Sequence, residues 1–235
     1  MAKKGVSTGM TRVEKILGGV LLAVYLVVLP LLADPLFDLI GKLFRTTISD
    51  SVRNAAYYYI LFALTLIAFW GYLGRAARAF LDRIGNVLVS VGIGLVAFYG
   101  LNEVIWRALK LFSLSRTNLN DQAILARMGA APYSTILIVV FLAPFVEEAI
   151  FRGYLFGNIR EMSRPAAYLV SSLLFALLHV WQYAAINWDL SYLLLMVQYI
   201  APGLVMAWVF ERSGSLWGSV LLHCAVNGLS VWSVL

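Results

Sequence analysis

Charge is scarce in this chain, and so are the residues that crosslink or ligate. Only 13% of its 235 residues are charged, with one cysteine and two histidines, against roughly a quarter charged in an average soluble domain. The single Cys224 excludes an internal disulfide and a multi-cysteine metal site, so it carries no information on redox compartment. The sequence also has no glycine-rich nucleotide loop, no low-complexity tract and no internal repeat. The last absence weighs against a carrier built from inverted halves.

Apolar residues, at 62% of the chain, take the place of what is missing. A membrane span needs about 20 mostly apolar residues. Seven stretches come close, near 16–32, 55–73, 87–105, 134–158, 166–181, 190–210 and 216–235. They predict an all-α fold, a polytopic transmembrane helix bundle of about seven spans with little left over for a soluble domain. Lys3, Lys4, Arg12 and Lys15 precede the first run as they would in a secretory signal. The run is too long for one, however, and "LLAD" is a poor cleavage sequence, so the segment is expected to stay as a membrane helix.

The net charge of +6 follows from topology rather than from nucleic-acid binding. Cations gather in cytoplasmic loops. With the N-terminus inside, the inner face receives the four N-terminal cations, then Arg75, Arg78, Arg83, Arg160, Arg164 and Arg212. The outer face receives Lys42, Arg45, Arg53, Arg107, Lys110, Arg116 and Arg127, in two longer connections, 33–54 and 106–133, where the rule has less force. The bias favours a cytoplasmic N-terminus. Within the first connection, "DPLFDLIGKLF" is expected to lie along the interface as an amphipathic helix.

Against this background the informative residues are ionisable ones inside spans. Each costs about 2.5–3.5 kcal/mol on insertion, and such groups usually face a bundle interior or a wet cavity. The stretch "FVEEAIFRGYLFG" places Glu147, Glu148 and Arg152 in the fourth predicted span, and His179 and His223 fall inside the fifth and seventh. By helical rise, Glu147, His179, His223 and Asn227 come to similar depths, so they can share one buried layer.

Glu148 and Arg152 are four apart, which puts an acid and its basic partner on one helix face. Glu147 points about 100° away and is free for something else. His223 and Asn227 form a second i, i+4 pair, and Pro144 should bend or open the helix just before the glutamates. A lone polar residue in a span is often only interhelical glue, but glue does not call for two adjacent carboxylates, an arginine and two histidines. By contrast, Glu103 sits near a span end and needs no functional account. Tyr57, Tyr58, Tyr59, Trp70 and Tyr72 read mostly as interfacial belt. Cys224 and His223 are sequence neighbours and do not face each other on a helix, so a thiol nucleophile is disfavoured.

Three motifs can now be written together: "EEAIFR" from Glu147, "FALLH" from Phe175 and "HCAVN" from His223. In order and spacing they resemble the EExxxR, FxxxH and HxxxN/D motifs of the CAAX protease and bacteriocin-processing (Abi) family, related to the type II CAAX prenyl endopeptidases. The resemblance covers about 134–235, and the spans before it match only as generic helices. It implies an intramembrane glutamate-dependent endopeptidase without cofactor or metal.

By motif position, the resemblance makes Glu147 and His179 the groups that activate water, and His223 and Asn227 the pair that holds the oxyanion. Glu148 and Arg152 brace the helix, and Phe175 packs beside the site. Residues 1–133 are then N-terminal membrane helices with connecting amphipathic segments, and 134–235 the catalytic helical core of one integral membrane domain. The implied partners are the lipid bilayer and a peptide or protein substrate, prenylated or else a leader peptide or pheromone precursor, with no nucleic acid. The setting is a bacterial cell membrane. Three other readings stand beside it: a zinc hydrolase ligated by Glu147, His179 and His223, a non-proteolytic protein for bacteriocin immunity or scaffolding, and a proton-coupled carrier.

Overall fold

The computed structural model describes residues 9–111 and 118–233. Lys3, Lys4 and Arg116 of the charge pattern lie outside the described residues, as does the end of the last predicted span. Among the described residues there is no strand. The helices are α1 (Arg12–Phe44), α2 (Asp50–Leu81), α3 (Ile84–Leu111), α4 (Leu119–Ala130), α5 (Pro132–Met162), α6 (Arg164–Leu178), α7 (Trp181–Asn187), α8 (Val197–Ser213) and α9 (Leu216–Trp232). The all-α polytopic bundle expected from the apolar runs is the observed architecture.

Each predicted span has its helix, but their lengths differ. The helices α1, α2, α3, α5 and the segment Tyr192–Ser213 are long and apolar enough to cross a bilayer, making five. The pair α6 and α7 is bent by 46° at a short break and counts as a sixth span only if taken together. The last, α9, has 17 residues, just short of the usual span.

Helix α1 opens on a capping box. Thr11 Oγ1 accepts from the Glu14 amide at 3.2 Å, and Glu14 Oε2 accepts from the Thr11 amide at 2.7 Å, which satisfies two amides that a helix start leaves open. The segment expected to lie separately along the interface is instead the second half of α1. Pro35 removes only one amide donor there, and the helix runs on until Arg45 takes a left-handed conformation (φ 52°). The extension is tied back by Arg53 Nη2 on Asp38 at 2.6 Å.

Helix α5 is the centre of the bundle. In its most apolar window 72% of residues are buried, against 17% in α1 and in α3. It touches α1, α2, α6, α8 and α9, while α8 packs between α3, α6 and α9. Lipid tails are as apolar as leucine, so close packing rather than hydrophobic burial must hold such helices together. At Gly203 of α8, an added Cβ would meet the Ser172 backbone of α6 at 3.0 Å, so the small residue sets how near these helices come.

Four of the cations assigned to one face, Lys15, Arg75, Arg160 and Arg164, gather at one end of the bundle, paired with acids. Lys15 meets Glu161 at 2.8 Å, Arg75 meets Glu14 at 2.6 Å, and Glu211 binds Arg160 at 2.6 Å and Arg164 at 2.8 Å. Toward the opposite end lie the Arg53–Asp38 pair and the exposed Arg107–Glu103 pair at 2.6 Å. The belt reading needs correction for the tyrosines of α2. Trp70 and Tyr59 are exposed, but Tyr72 is buried in the core and Tyr57 packs against it, because that face of α2 meets α1 and α5 rather than lipid.

Candidate active site

Both glutamates are buried, and they face different partners as their spacing predicts. Glu148 and Arg152 are completely enclosed and paired, Nη1 to Oε1 at 2.9 Å. Arg152 also donates through Nη2 to the Gly203 carbonyl of α8 at 3.1 Å, and its guanidinium lies over the Phe175 ring of α6, 4.4 Å from the centroid. One arginine thus ties α5 to α6 and α8. Glu147 looks elsewhere: its Oε1 accepts from the Tyr25 hydroxyl of α1 at 3.0 Å, and its Oε2 lies 3.9 Å from His223 Nε2.

His223 stands between the carboxylates. Its Nδ1 is 2.9 Å from Glu148 Oε1, so Glu148 holds Arg152 and this imidazole at once, with Nε2 left on the Glu147 side. The spacing gave Glu148 only its arginine; the second partner comes from α9, which no sequence separation indicates.

His179 caps the C-terminal end of α6, at the break before α7, rather than lying within a continuous span. Its Nδ1 is 2.9 Å from the Phe175 carbonyl. That carbonyl can only accept, so Nδ1 carries a proton, and in the neutral ring Nε2 keeps its lone pair. The ring is held on two sides, by Phe175 at 4.8 Å and by a near-parallel stack on Tyr199 at 4.4 Å. The Tyr199 hydroxyl donates to Asn118 Oδ1 at 2.7 Å, and Asn118 caps α4. Phe175 also reaches His223, with centroids 6.0 Å apart.

Asn227 is one turn beyond His223 and donates through Nδ2 to the Val139 carbonyl at 2.9 Å. Pro144 explains why that carbonyl is available. Around Ile138–Leu142 helix α5 is π-helical, and the Ala143 amide bonds the Ile138 carbonyl five residues back. Val139 would pair in the same register with the amide of residue 144, which as proline has none. The proline therefore opens the helix, as expected, and its free carbonyl fixes Asn227.

Two further π-helical stretches, Val24–Val28 of α1 and Ala149–Phe156 of α5, carry Tyr25 and Arg152. Stretches of this kind recur at functional sites. Each one described here contributes a group to the polar layer.

Sequence reasoning missed Tyr25 and Tyr199. Tyr25 had a signal: with Glu14, Gly18 and Leu21 it completes a stripe at helical spacing, which is the buried face of α1. Tyr199 had none, since its contact with His179 depends on the bend after α6. Cys224 is only partly buried and unpaired. Among the described residues no three His, Cys, Asp or Glu side chains converge as a metal-binding group.

The fold and this layer define a polytopic membrane protein with a built, buried ionisable centre. Over residues 129–229 the chain matches the family described as "Type II CAAX prenyl endopeptidase Rce1-like", and the resemblance read from the three motifs is borne out. Among curated proteins it is similar to the "Putative membrane peptidase YdiL" of Bacillus subtilis (strain 168), 32% identical over 118 residues, which is 50% of this chain and 43% of that protein. The chain thus spans less than half the length of that relative. It is also similar to two proteins of Lactococcus lactis subsp. lactis (strain IL1403). "UPF0177 protein YxdF" is 28% identical over 72% of this chain and 88% of its own, and "UPF0177 protein YaiH" 22% identical over 75% and 88%. No solved structure matches.

Proposed function

We propose that the chain is an intramembrane endopeptidase that hydrolyses a peptide bond with Glu147 as general base. The observation that carries the reading is the contrast between the paired carboxylates. Glu148 holds Arg152 and His223 through Oε1, whereas among the described residues Glu147 accepts one hydrogen bond, from Tyr25, and turns its second oxygen toward the imidazole layer. One acid holds structure and the other is available for chemistry.

In this mechanism His179 Nε2 and Glu147 hold a water. As the water oxygen adds to the scissile carbonyl carbon, its proton passes to Glu147 and the carbonyl becomes an oxyanion. The oxyanion is met by donors from α9, His223 Nε2 when protonated and the second amide hydrogen of Asn227. Collapse breaks the C–N bond, and the proton on Glu147 moves to the leaving nitrogen. Removing one such donor typically costs about 10²- to 10³-fold in rate. Arg152, Glu148 and Phe175 hold the rings and carboxylates in place.

The substrate is a peptide or a membrane-associated protein segment, prenylated or a leader or pheromone precursor, in a bacterial cell membrane with the N-terminus of this chain on the cytoplasmic side. No metal enters the mechanism.

The test is turnover of fluorogenic prenylated and unprenylated peptides by purified protein, wild type against Glu147→Ala, with and without chelator. Turnover that survives chelator and vanishes in the variant supports the reading. Chelator-sensitive turnover makes it a zinc hydrolase, and equal turnover in both proteins removes Glu147 from the mechanism. No turnover on any peptide favours an immunity or scaffolding role.

A further inference from the structure

The segment that matches the peptidase family begins at residue 129, yet the hydrogen bond to Glu147 comes from residue 25. We infer that Tyr25 is a positioning residue for Glu147, so that α1 completes the active site and the matched segment alone does not. The inference rests on the reading of Glu147 as general base.

Helix α1 is docked on α5 closely enough to hold a hydrogen bond in register. A Cβ at Gly18 would clash with the ring of Tyr154, a residue of the Ala149–Phe156 stretch. Tyr25 lies two turns further along the same buried stripe. It is 3% exposed and packed in the core cluster with Phe145, Val146 and Ala149, the residues around the glutamates. Lower on the stripe, Glu14 accepts from the Tyr72 amide at 2.6 Å and pairs with Arg75, so the helix is pinned to α2 as well as to α5. The π-helical stretch at Val24–Val28 changes the helical phase at the level of the hydroxyl.

The hydroxyl takes only Oε1 of Glu147, at 3.0 Å. A glutamate carboxylate, carried on three rotatable bonds, presents either oxygen in many orientations. With Oε1 held from α1, Oε2 is the oxygen left for the water between Glu147, His179 and His223. The hydroxyl gives up no proton and meets no substrate. It acts through Glu147.

The experiment compares wild type, Tyr25→Phe, Tyr25→His and Glu147→Gln in detergent, by peptide turnover, thermal unfolding and infrared spectroscopy. The carboxylate band of Glu147 is the one lost in Glu147→Gln. The expected result is that Tyr25→Phe shifts this band, lowers kcat about tenfold, as loss of a hydrogen bond to a charged group does, and leaves KM and the unfolding temperature close to wild type. Tyr25→His, which returns an N–H donor to the site, recovers part of kcat. A packing role predicts the opposite order, with phenylalanine the better replacement.

An unmoved band overturns the inference, and so does wild-type kcat in Tyr25→Phe while Glu147→Gln is inactive. Turnover that persists in Glu147→Gln instead overturns the general-base reading, and the positioning role falls with it. Where no peptide is turned over, the infrared band alone decides whether Tyr25 holds Glu147.

Discussion

Asn227 is held by the carbonyl of Val139, 2.9 Å away, and that carbonyl is open because residue 144 is a proline. The bond joins α9 to the π-helical stretch of α5 just ahead of the glutamates. It uses one amide hydrogen of Asn227 and aims the other, so a helix defect sets the direction of a proposed oxyanion donor.

Pro144→Ala should therefore uncouple stability from activity. Alanine supplies the missing amide and is the better helix former by about 3 kcal/mol in a helix interior, so the unfolding temperature should not fall. The new amide competes for the Val139 carbonyl, Asn227 loses its anchor, and kcat should drop by roughly tenfold. Asn227→Ala should cost more, about 10²-fold or above, and the two changes combined should cost little more than Asn227→Ala alone. Full additivity of the two losses would show that Pro144 does not act through Asn227.

Arg152 should behave in the opposite way, as a stability residue. It is wholly enclosed and bonds Glu148, the Gly203 carbonyl and the Phe175 face. Removing one member of a buried pair costs about 3–5 kcal/mol, because the other charge stays behind. Arg152→Ala should lower the unfolding temperature sharply, and Arg152→Lys should rescue little, since one ammonium lacks the planar fork that reaches two acceptors at once. Glu147→Gln keeps the shape of the side chain and should unfold near wild type. If Arg152→Ala proved as stable as Glu147→Gln, the division of labour between the two acids would be wrong.

The difference between these residues also marks what the sequence could disclose. The Glu148–Arg152 pair was legible because both partners lie on one helix, where four residues of separation fix a contact. The shared polar layer was legible because ionisable groups have few places to go in a span. Partners from distant helices were not. Tyr25 reads as one more aromatic in an apolar run until α1 is seen against α5, and Val139 offers only its backbone, which no side-chain pattern reports. Tyr72 was read as belt because hydropathy gives depth but not which face of α2 meets protein. The amphipathic look of "DPLFDLIGKLF" suggested a separate helix because a proline in sequence signals a break, whereas here the helix continues through it.

Tyr199 should matter through its ring more than its hydroxyl. The ring stacks on His179 at 4.4 Å, and the hydroxyl reaches Asn118 at the start of α4. Aromatic pairs contribute about 0.5–1.5 kcal/mol beyond burial, so Tyr199→Leu should lower kcat by about two- to tenfold as His179 gains freedom. Tyr199→Phe keeps the stack and should stay within twofold of wild type. Peptide turnover by the two variants checks this, and a larger loss with phenylalanine than with leucine would shift the weight to the Asn118 bond.

Orientation in the membrane yields the last prediction. The paired cations Lys15, Arg75, Arg160 and Arg164 share one end of the bundle, and Asp82, just beyond α2, lies at that end by the course of the helix. Asp34, whose side chain is 82% exposed, lies in the part of α1 that runs toward the other end. Since cations are retained on the cytoplasmic side, a chain with Cys224 replaced by serine and a cysteine at Asp34 should react with a membrane-impermeant thiol reagent in intact cells. The same chain with the cysteine at Asp82 should react only after permeabilisation. The reverse pattern would put the N-terminus outside and leave the polar layer untouched, because the contacts among Glu147, His179, His223 and Tyr25 do not depend on which side faces the cytoplasm. It would change only the side from which a substrate is expected to arrive.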